Sequence, residues 1–127
     1  MTEWTPRQRA LKETFIADRG YWAPFYDGLL ALDTDFFEIF LNFSAHPWRT
    51  GSLEPKVREF IYIAIDSSTT HLNEPGLRVH LRNALKLGAT KEEIMEVYEL
   101  VSVLGMHTLT LGVPALLEEL GHPRSSP

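Results

Sequence analysis

Imidazole and carboxylate side chains are the groups best suited to moving protons near neutral pH, and this chain sets several of them in helical, apolar surroundings. His80 falls beside Leu77, Leu81 and Ala84 at helical spacing, which turns it towards the core side of its helix. Glu59 and Asp66 are about two turns apart on the preceding helix and form its only acidic stripe. His71 follows that helix, close to Glu74, and His107 lies in an uncharged apolar run. Two such histidines beside one carboxylate would make a general acid–base site. Each also has a plainer reading, because a buried imidazole needs only one or two hydrogen-bond partners and an acidic stripe can simply face water.

Other chemistries find less support. There are no cysteines, so disulfides, thiolate metal sites and thiol nucleophiles are absent. No pair of histidines has the His-x-x-x-His spacing that brings two ligands onto one helical face, and neither a metal nor a cofactor is expected. His46 and His122 fall in a predicted loop and tail and receive no role. The net charge of −5 comes with singly scattered Lys and Arg, which disfavours nucleic acid and anionic membranes as partners.

The elements that must position these groups are helical throughout. With 127 residues and 44% hydrophobic content, the chain suits one compact all-α domain of about six or seven helices. Helices are predicted from Thr5 to about Arg19, around Phe25 to Leu32, and from Asp35 to about Ser44. Residues 46–52, with Pro47, Thr50, Gly51 and Ser52, read as a loop dividing an N-terminal arm (1–50) from a core (53–120), with a disordered tail at 121–127. Pro55 opens the next helix, which should reach about Thr70, and Asn73-Glu74-Pro75 opens another that ends at Gly88. Thr90 and Glu93 have the spacing of a capping box, so Gly88-Ala89 is the turn of a helical hairpin.

The last helical region should run to about Leu120, with a break or kink at Gly105 or at Gly112-Val113-Pro114. Residues 100–117 lack charge over nearly the roughly 20 residues that span a bilayer, but Gly, His, Thr and Pro dilute their hydrophobicity. Burial in a helical assembly is the preferred reading. The helix from Pro55 is also apolar nearly all round, which suggests a homo-oligomer. The aromatic-rich arm, with Trp4, Tyr21, Trp22, Tyr26, Phe36 and Phe37, is expected to cover the core rather than line a pocket. The polar stretch 1–10 shows no secretory signal, and a cytoplasmic location is expected.

The run His80-x-x-x-Ala84-Leu85-x-x-Gly88-Ala89-Thr90-x-x-Glu93-Ile94-x-Glu96-Val97, with Arg58-Glu59 upstream, resembles the signature region of the carboxymuconolactone decarboxylase family, in the alkylhydroperoxidase D-like superfamily. The resemblance covers residues 53–120 well and the arm loosely. It implies the alkylhydroperoxidase D-like helical fold and a trimer or hexamer. The superfamily's peroxidase branch carries a Cys-x-x-Cys whose positions fall here at Asn73 and Gly76, so thiol peroxidase chemistry is excluded unless another protein supplies the thiols. The decarboxylase branch removes CO₂ from a small carboxylated lactone of aromatic catabolism without a cofactor. That resemblance implies His80 as the leading acid–base residue, Glu59 orienting it or relaying protons, and His107 or His71 completing the pocket. The interval from Glu59 to His80 looks about two residues longer than in the peroxidase branch; an extension in the turn at 69–73 would leave Glu59 facing His80, whereas one inside the helix would turn it away by roughly 200°. The alternative function is a non-catalytic oligomeric protein that binds a small molecule and has lost the cysteines.

Overall fold

The computed structural model describes residues 3–122, and seven α-helices and one 3-10 turn carry most of them. The class is all-α, as the periodicity implies. The chain divides near Pro55 into two compact units, each with its own buried cluster.

The first unit holds α1 (Pro6–Arg19), α2 (Phe25–Leu32) and α3 (Thr34–Thr50). Thr5 caps α1 by accepting the Gln8 N–H, while the Gln8 side chain accepts the Thr5 N–H, so two otherwise unpaired donors are satisfied. Phe15, Leu30, Phe37, Leu41 and Ala45 are essentially fully buried, with Tyr21, Trp22 and Phe40 packed on them. The aromatics of the arm thus build a core of their own, apart from Phe25, Phe36 and Phe43, which are exposed.

One expected boundary moves. The predicted loop at 46–52 is helical to Thr50, because α3 continues through Pro47. Proline there forgoes a backbone hydrogen bond. The last turn is nevertheless closed by Gly51 N–H donating to the Pro47 carbonyl at 2.9 Å and the Thr50 hydroxyl donating to the His46 carbonyl at 2.9 Å. Arg49 also reaches back to Asp18 of α1, with Nη2 at 2.6 Å from Oδ2.

The second unit holds α4 (Pro55–Ser67), α5 (Glu74–Lys86), α6 (Lys91–Val101), a 3-10 turn (Ser102–Met106) and α7 (His107–Glu119). Asn73 caps α5, and the Thr90–Glu93 capping box forms with both bonds at 3.1 Å. Between them Gly88 takes φ +87°, a left-handed conformation that costs glycine nothing, and this allows the tight α5–α6 turn. Ile63, Ala84, Ala89 and Ile94 form the buried cluster, with Phe60, Leu77, Leu81, Val97 and Tyr98 against it.

The buried stripe of α4 runs through Glu59, Ile63 and Asp66, leaving Ile61 and Ile65 about half exposed. At the C-terminal end, the expected irregularity near Gly105 is the 3-10 turn, whereas Pro114 is carried inside α7. Residues Lys91–Glu119 make a 29-residue helical stretch long and apolar enough, by length and composition alone, to cross a membrane, and none of its apolar window is buried within the chain. Of the expected tail at 121–127, residues 123–127 lie outside the described residues.

Candidate active site

The site is built where α4 and α5 lie side by side. On α4, Glu59, Tyr62 and Asp66 follow at intervals of three and four, which places them on one face. On α5, His80 and Asn83 do the same. The turn between the helices is fixed by the Asn73 N–H donating to the Asp66 carbonyl at 2.8 Å and by Leu72 at φ +46°, the one described non-glycine residue with positive φ.

His80 sits between two carboxylates. Its Nδ1 is 2.7 Å from Glu59 Oε2, and both side chains are buried. A carboxylate accepts only, so with Glu59 ionised Nδ1 carries the proton and Nε2 is the nitrogen whose protonation changes in acid–base work. Nε2 in turn lies 3.8 Å from Asp66 Oδ2. Asn83 Nδ2 donates to the second Glu59 oxygen at 3.4 Å, and the Tyr62 ring stacks on the imidazole at 4.5 Å between centroids and 15° between planes. The ring is therefore held at its edge by Glu59 and on its face by Tyr62.

Asp66 extends the cluster outward. Its Oδ1 is 3.5 Å from His71 Nε2 and accepts from Asn73 Nδ2 at 3.4 Å. Its Oδ2 also explains Gly76: a Cβ there would stand 2.5 Å from that oxygen and 2.5 Å from Asn73 Nδ2. A cysteine at position 76 is thus incompatible with Asp66 as it stands.

Of the four residues singled out in the sequence, His80 and Glu59 are in direct contact and His71 joins them through Asp66. Glu59 faces His80, and α4 stays regular from Pro55 to Ser67. His107 stands where the 3-10 turn meets α7, exposed, and its ring takes part in none of these hydrogen bonds. The sequence put Asp66 with Glu59 on an acidic stripe but not among the candidate catalytic residues, and it gave Tyr62 and Asn83 no site role. Their signal was the spacing with Glu59 and His80. Among the described residues no group of three metal-ligating side chains forms.

The sequence profile of the carboxymuconolactone decarboxylase family matches residues 34–117. The chain belongs to that family. Its structure is similar to the crystal structure of a candidate gamma-carboxymuconolactone decarboxylase subunit from Burkholderia xenovorans LB400, at 52% sequence identity and a TM-score of 0.90. The match covers 94% of this chain and 48% of the other, so the chain spans about half the length of that solved relative. No curated protein matches the chain. In this cysteine-free chain Asn73 donates to the Asp66 carboxylate, and Gly76 leaves that carboxylate room.

Proposed function

We propose that this chain is a cofactor-independent carboxy-lyase that removes CO₂ from a small carboxylated lactone or related keto acid. The observation that supports it most is the buried Glu59–His80 pair, which fixes the imidazole tautomer and leaves Nε2 to handle the proton. In the reaction, the bond from the ring carbon to the carboxyl carbon breaks and its electron pair enters the conjugated lactone. CO₂ leaves, and the carbon then takes a proton from Nε2 of His80. The lactone itself accepts the electrons, so the chemistry calls for no electron sink from a cofactor. Glu59 acts as the orienting group, holding the ring through Nδ1.

Purified protein should release CO₂ from gamma-carboxymuconolactone, and His80→Ala should lower that release by about 10²-fold or more, the range of a lost general acid. No release by the wild type, or undiminished release by His80→Ala, overturns the reading. The missing cysteines favour one alternative, a non-catalytic small-molecule binder, which would bind the lactone without turning it over.

We also propose that the protein works as a homo-oligomer, a trimer or hexamer. The support is the apolar stripe of Val103, Met106, Leu109, Val113, Leu116 and Leu120, all exposed in the single chain.

A further inference from the structure

Every decarboxylation of this kind consumes one proton, which the buried imidazole must recover from solvent. Nε2 of His80 has 3.8 Å to Asp66 Oδ2, and Asp66 Oδ1 has 3.5 Å to Nε2 of His71. Exposure rises along that line: 9% of the His80 side chain, 10% of Asp66, then 53% of His71. A carboxylate with one oxygen towards each imidazole can take a proton on one side and give it on the other.

We propose that Asp66 and His71 form a proton path that recharges His80 from solvent. After His80 has given its Nε2 proton to carbon, the Asp66 carboxylate takes a proton from His71 and passes it to Nε2, and His71 takes one from water. The net change is one solvent proton consumed for each CO₂ released. Both distances exceed a formed hydrogen bond by roughly half an ångström or more, so transfer follows a small closing movement of ring or carboxylate. Asn73 Nδ2, donating to Asp66 Oδ1, limits how far that carboxylate can swing, and Gly76 leaves it room. The titratable groups around the His80 ring are Glu59, Tyr62 and Asp66 on α4, with His71 behind Asp66. Asp66 lies between the ring and the exposed His71. Asp66 and His71 act through His80 and are positioning residues, not catalytic ones.

The role in turnover rests on the decarboxylase reading, but the path itself can be measured without substrate. In the full ¹⁵N-labelled chain, solvent exchange of the His80 Nε2 proton at low buffer should slow by about tenfold in His71→Gln and in Asp66→Asn. Millimolar imidazole should restore exchange in His71→Gln, where the carboxylate remains, and not in Asp66→Asn. Wild-type exchange rates in His71→Gln overturn the path; because His71 is exposed, this variant carries the test even if Asp66→Asn fails to fold. CO₂ release from gamma-carboxymuconolactone at low buffer should fall in kcat with KM unchanged and be rescued by the same imidazole. Slowed exchange with no CO₂ release by the wild type retains the path and removes the decarboxylase, whereas release unaffected by either substitution removes the path.

Discussion

His80 Nδ1 and Glu59 Oε2 lie 2.7 Å apart, with 9% and 2% of their side-chain surfaces exposed. A bond this buried is costly to break from one side, because the surviving partner keeps its desolvation penalty. Glu59→Ala should therefore lose about 3–5 kcal/mol of unfolding free energy. Glu59→Gln, which keeps an acceptor for Nδ1–H, should lose only about 1–2 kcal/mol. Urea unfolding of both variants checks the ordering, and equal losses would show that packing, not the bond, sets the cost.

Gly76→Ala is expected to separate stability from activity. Alanine in a helix gains roughly 0.5–1 kcal/mol over glycine, while the added Cβ, 2.5 Å from Asp66 Oδ2 and from Asn73 Nδ2, must push the carboxylate or the amide aside. The melting temperature should change little while CO₂ release drops several-fold. Full activity in this variant would mean that the position of Asp66 is unimportant.

Glu93 gives the expected acid dependence. The side-chain bond from Lys56 and the backbone N–H of Thr90 lower its pKa below the usual 4.5. A depressed carboxylate contributes stability that is present above 4.5 and is lost as pH falls through its lowered folded value. Glu93→Gln should thus be less stable than wild type at pH 7, with the gap narrowing below pH ~4. Melting curves across that range test it, and a gap independent of pH would rule the ionised form out as the cause.

Local chemistry explains how much of this was legible. The helix limits at Thr5, Asn73, Gly88 and Thr90 are set by caps and a left-handed glycine within a few residues, so the sequence displays them. The end of α3 is held partly by Arg49 reaching Asp18, a distant partner, and the local punctuation of Pro47 and Gly51 misleads. In the site, His80 was visible as a core-facing residue and Glu59 as part of an acidic stripe on the preceding helix. The place of Asp66 at the second ring nitrogen depends on how α4 packs against α5, which periodicity along one helix does not encode.

The first unit should respond to loss of one ring. Phe15 is fully buried and meets Tyr26 at 4.9 Å, Tyr21 at 5.4 Å and Trp22 at 5.5 Å between centroids. Phe15→Ala should cost about 3–5 kcal/mol, with its loss seen in near-ultraviolet circular dichroism of those aromatics. A cost below about 1 kcal/mol would mean that the cluster collapses to fill the space.

Leu109 and Leu116 are two turns apart on the exposed stripe of α7. Lysine at both should dissociate a homo-oligomer into single chains, read as a fall in mass by light scattering. A wild-type protein already monomeric, or an assembly indifferent to both lysines, would refute the expectation.

The uncovered face from Lys91 to Glu119 also has a thermodynamic consequence. If copies of the chain cover one another there, folding and association are one equilibrium governed by mass action. The protein then has no single melting temperature: it should melt lower on dilution, and an assay run at nanomolar enzyme could lose activity through dissociation alone.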